Sequence, residues 1–108
     1  MRKINELLRE VIAEQVGDLK DPRIGFVTVT AVDTAPDLRH ATVFYTVLGD
    51  EDTFAETHEA LEHAAPYLQS IVARQVRIKY IPKIHFRVDE TIERAMRINR
   101  ILHDIEEE

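Results

Sequence analysis

The sequence predicts a single α+β domain whose elements follow one another in the order α-β-β-α-α-β-α. Apolar residues recur every three or four positions in the first, central and last parts of the chain, as in amphipathic helices. In three shorter segments apolar and polar residues alternate, which is typical of strands with one buried face. The chain has 108 residues, so we expect residues 1–108 to form one domain, frayed over its last few residues.

The first half of the chain predicts one helix and two strands. The helical pattern covers residues 4–12, and Gly17 favours a helix end. Residues 20–25 contain the proline and glycine of a turn. Residues 26–32 and 38–48 predict strands, and the short connection between them favours an antiparallel hairpin.

The second half predicts two helices separated at a proline, then a third strand and a last helix. Pro66 has no N–H and disfavours helical geometry in the residue before it, so Ala64-Ala65-Pro66 predicts a kink or break. Residues 78–81 fit either a helix end or a strand start. Residues 84–88 alternate as a strand, and residues 92–105 carry the spacing of a last helix.

Several kinds of chemistry are excluded by composition. The chain has no cysteine, which removes disulfides, thiolate metal sites and cysteine nucleophiles and fits a reducing compartment. Ser70 is the only serine and has no glycine elbow, and the three glycines are too scattered for a phosphate-binding loop. We therefore expect no catalytic residue, cofactor, metal or small-molecule substrate.

The histidines do not predict a metal site. Two of them fall in one helix without sharing a face, and the others are scattered along the chain. We interpret all five as surface or structural residues: His40, His58, His63, His85 and His103.

Neither a membrane span nor a signal peptide is predicted. No apolar run approaches the roughly 20 residues of a spanning helix. The first ten residues lack the apolar region of a signal peptide. We expect a cytoplasmic protein with no membrane partner.

The net charge of −6 argues against a nucleic-acid binder until its distribution is considered. Residues 48–70 contain six acidic side chains and no Lys or Arg, whereas residues 71–100 contain eight basic and three acidic ones. A polyanion responds mainly to charge within about 10 Å near physiological salt, so the basic stretch could still attract RNA. A solvated mosaic of charges is the alternative interpretation.

Basic residues of the first helix and of the basic stretch are the candidate RNA-binding positions. Each one alone is explained as solvated surface. Together they supply the donors that phosphate contacts require. The candidates are Arg2, Lys3, Arg9, Arg74, Arg77, Lys79, Lys83 and Arg87.

A series of motifs spans almost the whole chain. After the opening amphipathic helix they are Asp21-Pro22-Arg23-Ile24-Gly25, Asp37-Leu38, Ala41-Thr42-Val43-Phe44, Val76-Arg77-Ile78, Ile81-Pro82-Lys83-Ile84-His85-Phe86 and Asp89 before residues 92–98. In order and spacing, from about Lys3 to Leu102, this series resembles the bacterial ribosome-binding factor A family.

The resemblance implies a type II KH fold, αββααβ, with a three-stranded sheet and a C-terminal helix, a class that binds single-stranded or irregular RNA. It also implies a cytoplasmic, non-enzymatic assembly factor, which we expect to be a monomer. Such a factor binds the small (30S) ribosomal subunit and its precursor 16S ribosomal RNA during late maturation and processing. The family is often linked to growth in the cold.

One position departs from the family pattern. Between the central helices the family typically has an Ala-x-Gly kink, where this chain has Ala64-Ala65-Pro66. Proline lacks the N–H and the freedom that glycine would bring near a phosphate, so we expect a kink there, and the departure weakens the case for a backbone contact to RNA at that residue. Arg74, Arg77 and Lys79 are expected to bind RNA instead. The alternative is a protein-interaction domain of the same shape that has lost RNA binding.

Overall fold

The computed structural model describes residues 2–77 and 81–91, which form two helices and one three-stranded sheet. In chain order the elements are α1 (Arg2–Asp18), β1 (Phe26–Thr34), β2 (His40–Leu48), α2 (Glu51–Gln75) and β3 (Lys83–Val88). The strands are arranged β1-β2-β3, with β1 antiparallel to β2 and β2 parallel to β3. The predicted α+β class and the predicted hairpin are confirmed. The last helix predicted over residues 92–105 lies outside the described residues.

The central strand shows how the sheet is oriented. Along β2, Ala41, Val43, Tyr45 and Val47 are buried, and the residues between them are half-buried or exposed. Side chains alternate between the two faces of a strand, so one face of the sheet packs against the helices. We call the other side the open face. On β2 and β3 its members are His40, Thr42, Phe44, Thr46, Lys83, His85 and Arg87.

Each helix contributes an apolar stripe to the core beneath the sheet. The buried aliphatic residues are Leu8, Val11, Ile12 and Val16 of α1 and Leu61, Leu68, Ile71 and Val72 of α2. Burying a side chain of this size contributes about 1.5–3 kcal/mol, so the two stripes hold the layers together. Neither of these two helices is long and apolar enough to cross a membrane.

Helix α2 begins at a side-chain cap. Both the backbone N–H and the hydroxyl of Thr53 donate to Oδ1 of Asp50, each over 2.9 Å. These hydrogen bonds stabilise the carboxylate and hold the pKa of Asp50 below its usual value. The cap satisfies N–H groups that the first turn of a helix leaves without partners.

The two central helices that the sequence predicts are one continuous helix. Pro66 lies inside α2, which runs unbroken from Glu51 to Gln75. Pro66 is exposed, whereas Ala65 before it and Leu68 after it are buried on the side that faces the sheet. A proline at this position leaves the carbonyl of Glu62 without its helical donor. The apolar stripe continues on both sides of the proline, so packing against the sheet outweighs this local cost.

Side chains of α2 cover the outer edge of β3. Oε1 of Gln69 accepts from the Ile84 N–H over 3.0 Å, and Oε1 of Glu62 accepts from the Phe86 N–H over 3.2 Å. Unpaired N–H groups at a sheet edge invite another strand to pair with them. The two hydrogen bonds occupy these groups and set the direction of α2 opposite to that of β3.

Candidate nucleic-acid interface

The starts of β2 and β3 meet at one end of the sheet, because the two strands run parallel. His40 is paired with Lys83, and the Lys83 N–H donates to the Arg39 carbonyl over 2.8 Å. Arg39, His40 and Lys83 therefore lie side by side, although Lys83 is far from the other two in the sequence.

Helix α1 brings two further basic residues to this end. Oδ1 of Asn5 accepts from the Thr34 N–H over 3.0 Å, which places the start of α1 at the end of β1. Thr34 in turn is paired with Ala41 near the start of β2. Arg2 and Lys3, in the first turn of α1, thus lie at the same end of the sheet as Lys83.

Helix α2 contributes basic residues from its other terminus. Its direction is opposite to that of β3, since Gln69 contacts the start of that strand and Glu62 contacts its middle. The last turn of α2 contains Arg74, and Arg77 follows the helix. Both arginines therefore lie towards the start of β3.

These contacts place several basic residues towards one end of the molecule, which we call the basic end. All its members are exposed. They are Arg2, Lys3, Arg39, Arg74, Arg77 and Lys83. Six cations from four separate parts of the chain produce a positive potential that favours a polyanion. Asp33 and Asp37 lie near the same end and reduce that potential.

The acidic residues at the start of α2, together with its cap Asp50, lie at the opposite end of the molecule. This acidic end comprises Asp50, Glu51, Asp52, Glu56 and Glu59. A strand of nine residues such as β2 spans about 30 Å, which is several times the Debye length of about 8 Å in physiological salt. The acidic end is thus separated from the basic end by a distance over which salt screens its negative charge.

One arginine at the acidic end is held by carboxylates. Nη2 and Nε of Arg23 lie 2.9 Å and 3.2 Å from the two carboxylate oxygens of Asp21, and Nη1 lies 4.0 Å from Glu59. The arginine holds the pKa of Asp21 below its usual value, and the carboxylate raises the pKa of Arg23. The Asp21-Pro22-Arg23 turn is therefore a local structural unit.

The remaining predicted RNA-binding residues are not part of the basic end. Arg9 is half-buried and lies 3.3 Å from the carboxylate of Glu6 on the same helix. Arg87 is exposed on the open face, four residues beyond Lys83 along β3. Lys79 lies outside the described residues.

Arg39, and the contact between two histidines, were not predicted from the sequence. His40 Nδ1 lies 3.1 Å from His85 Nε2, and the two rings are stacked with their centroids 5.4 Å apart. These histidines are far apart in the sequence, and the parallel pairing of β2 with β3 brings them together in space. No short-range pattern could show that pairing, which depends on the course of α2.

The stretch Ala64-Ala65-Pro66 lies in the middle of α2 and away from the basic end. Backbone N–H groups inside a helix donate to carbonyls of the preceding turn, so they are not free to bind phosphate.

A groove of about 800 Å³ lies between the sheet and the start of α2. Its lining includes Tyr45, whose hydroxyl lies 2.9 Å from Nδ1 of His58, and His58 Nε2 lies 3.8 Å from Glu62. Burial and the nearby Glu62 carboxylate raise the pKa of Tyr45 to about 12. Tyr45 is therefore neutral at physiological pH and acts as a hydrogen-bond partner. Among residues 2–77 and 81–91, no group of three potential ligands is arranged to hold a metal ion.

Comparison with known proteins points to one family. Residues 1–102 match the family profile described as ribosome-binding factor A. The ribosome-binding factor A of Halothermothrix orenii is 44% identical over 108 residues, covering 99% of this chain and 88% of that protein. The protein of the same name from Geobacter sulfurreducens is 39% identical over 98% of this chain and 91% of that protein.

Solved structures agree with the sequence comparison. The crystal structure of ribosome-binding factor A from Thermus thermophilus superposes with a TM-score of 0.73 at 28% identity, over 81% of this chain and 93% of that one. A homology model of the Thermus factor, fitted into a cryo-EM map of its complex with the 30S subunit, superposes with a TM-score of 0.64 at 29% identity. It covers 77% of this chain and 88% of that one. The profile match, the identity over nearly full length and the shared α+β fold together establish that the chain belongs to the ribosome-binding factor A family.

Proposed function

We propose that this protein binds the small (30S) ribosomal subunit and its precursor 16S ribosomal RNA during late maturation and processing, and that it contacts the RNA through the basic end. It acts without catalysis, cofactor or small-molecule substrate, as a monomer in the cytoplasm. Its activity contributes to ribosome assembly in the cold. The observation that carries this proposal is the placement of Arg2, Lys3, Arg74, Arg77 and Lys83 towards one end of the molecule.

Family membership supports the ribosomal partner. The Thermus ribosome-binding factor A, which shares this fold, has been fitted into the map of its complex with the 30S subunit. Ribosomal RNA exposes phosphates on every side, and arginine and lysine are the side chains that position proteins on phosphate backbones. The charge distribution of this chain suits that partner in spite of its net charge of −6.

Assembly without catalysis requires a difference in affinity. A factor that binds a precursor conformation of the RNA more tightly than misfolded alternatives and than the mature form stabilises that precursor conformation, and it leaves when the mature form removes its contacts. The basic end supplies affinity for both the precursor and the mature RNA. The difference between the two affinities depends on which RNA conformation brings phosphates to all the cations of the basic end at once.

The proposal predicts salt-dependent binding to small subunits. If about five phosphates are contacted, the logarithm of the binding constant falls against the logarithm of salt concentration with a slope of about −3.5 to −4.5. Sedimentation with mature and with precursor-containing subunits measures this slope and tests for preference for the precursor. No association with either subunit at low salt would refute the proposal.

Charge reversal identifies the surface involved. Arg74→Glu and Arg77→Glu lie on the proposed interface, whereas Lys20→Glu makes the same charge change at an exposed residue in the turn at the other end. We expect the two arginine variants to lose subunit association while keeping the wild-type circular dichroism spectrum, and Lys20→Glu to bind as the wild type does. Equal binding by all three variants would favour a protein-interaction domain that does not use this surface for RNA.

A further inference from the structure

The stacked histidines lie on the open face at the basic end. His40 is exposed at the start of β2, and His85 is half-buried on β3. Their rings are inclined by 27° with centroids 5.4 Å apart, and a contact of 3.1 Å between His40 Nδ1 and His85 Nε2 links their edges. One nitrogen of that contact donates and the other accepts, so the hydrogen bond holds the two rings in a fixed relation.

Cationic side chains surround the pair on the same face. Lys83 is the register partner of His40, and Lys83 and Arg87 lie two residues before and after His85 along β3. Alternate residues of a strand project to the same side and are about 6.6 Å apart. Along β3, the ring of His85 therefore lies between two exposed cations, Lys83 and Arg87, on the same face of the strand.

A structural role alone does not account for this arrangement. Strand positions outside the core are readily filled by β-branched residues, such as the half-buried Thr42 and Thr46 on the same face. Imidazole rings instead offer flat surfaces on which a nucleobase stacks, and histidine is one of the side chains that proteins use for this purpose in RNA recognition.

We propose that the His40–His85 pair is a stacking site for an unpaired RNA base. The inference rests on the proposed function, which supplies the RNA, and adds the way in which one nucleotide is held. Lys83 and Arg87 contact the flanking phosphates, and the base lies on the imidazole surface. Because every base has a flat π face, the site accepts single-stranded RNA with little preference for sequence.

Single-stranded RNA that contains 2-aminopurine provides a direct test. The probe is an oligonucleotide of about 12 residues, within the site sizes of single-strand binders, and its fluorescence falls when the modified base stacks. We expect the wild-type protein to quench the probe. His40→Ala and His85→Ala should abolish the quenching and weaken binding about 5- to 150-fold, the range that corresponds to the loss of one base stack.

Two further measurements separate stacking from other roles. His40→Phe and His85→Phe keep a ring but lose the ring nitrogens, so stacking predicts that they restore most of the affinity and the quenching.

The salt slope counts phosphates, so it should stay unchanged in the histidine variants and become shallower by about 0.7 in Lys83→Gln. His63→Ala, an exposed histidine of α2, is the matched control and should bind as the wild type does.

The possible results distinguish this inference from the proposed function. If the wild-type protein fails to bind the probe and small subunits at low salt, both are refuted. If the wild-type protein binds the probe but the alanine variants bind it equally well, the stacking site alone is refuted. The same holds if the phenylalanine variants bind the probe as weakly as the alanine variants while melting at the wild-type temperature.

Discussion

Tyr45 links the sheet to α2 through both apolar and polar contacts. The side chain is fully buried, its ring packs edge-on against Phe86 at a centroid distance of 6.2 Å, and its hydroxyl reaches His58. An ionised phenol would place a negative charge in this core beside the Glu62 carboxylate. The folded state therefore favours the neutral form, which is why the pKa of Tyr45 is raised to about 12.

This pKa makes stability depend on pH in the alkaline range. Below the ordinary tyrosine pKa of about 10 the residue is neutral in both the folded and the unfolded chain, so its contribution is constant. Between pH 10 and the folded pKa of about 12 only the unfolded chain ionises, and stability falls as pH rises. We expect wild-type protein to lose about 1 kcal/mol from this residue by pH 11.

Urea unfolding of wild type and Tyr45→Phe at a series of pH values measures the effect. At pH 8 the variant should be less stable by about 1 kcal/mol, because it loses the hydrogen bond to His58. The difference should shrink or reverse by pH 11. Tyr67→Phe, at an exposed tyrosine, should follow the wild type throughout. Parallel pH curves for wild type and Tyr45→Phe would contradict the role assigned to Tyr45.

Single residues were predictable from the sequence to different degrees. Leu8 and Ile12 belong to the helical apolar pattern of residues 4–12, and both are buried, because periodicity shows which face of an element is apolar. The hydrogen bond between Tyr45 and His58, and the contact between His40 and His85, join different elements. Their partners are determined by packing and register, which no local pattern contains.

At the scale of elements, α2 shows how tertiary packing overrides a local signal. Proline is the poorest helix former, and the sequence favours a division of α2 at Pro66. The helix nevertheless continues, because its stripe on both sides of the proline is buried against the same sheet, and Glu62 and Gln69 hold it along β3. The hairpin, by contrast, was predictable because its turn is local.

Replacement of the proline should stabilise the protein. Pro66→Ala restores the N–H that can donate to the Glu62 carbonyl and removes the clash of the ring with the preceding turn. A proline inside a helix costs about 3 kcal/mol relative to alanine, of which up to about 1 kcal/mol is offset because proline also restricts the unfolded chain. We expect a net gain of roughly 2–3 kcal/mol in urea unfolding.

A reciprocal variant provides the control for this prediction. Ala73 is exposed in the last part of α2, and Ala73→Pro should destabilise the protein by a similar amount. If Pro66→Ala lowers stability, the proline supports a helix geometry on which the packing of α2 against the sheet depends. That result would contradict the view that packing tolerates the proline at a cost.

At the scale of the whole molecule, the separation of charge decides how a protein of net charge −6 can bind RNA. The acidic start of α2 and the basic end lie at opposite ends of strands that span about 30 Å. In the sequence these charges appear as adjacent blocks, and only the direction of α2 relative to β3 shows that they are far apart in space. The net charge is therefore a poor guide to the field that an approaching RNA meets at the basic end.

Salt should control whether the acidic end affects RNA binding. The Debye length is about 30 Å at 0.01 M ionic strength and about 8 Å at 0.15 M. The double variant Asp52→Asn/Glu56→Gln removes two charges from the acidic end, so it should bind single-stranded RNA more tightly than wild type at about 0.01 M and within about twofold of wild type at 0.15 M. Asp33→Asn removes one charge close to the basic end and should raise affinity at both ionic strengths, because its distance to the bound phosphates is short. Fluorescence anisotropy titrations across salt measure both effects. A gain for the double variant that persists unchanged at 0.15 M would mean that RNA contacts the acidic end directly, which would place the interface elsewhere than the basic end.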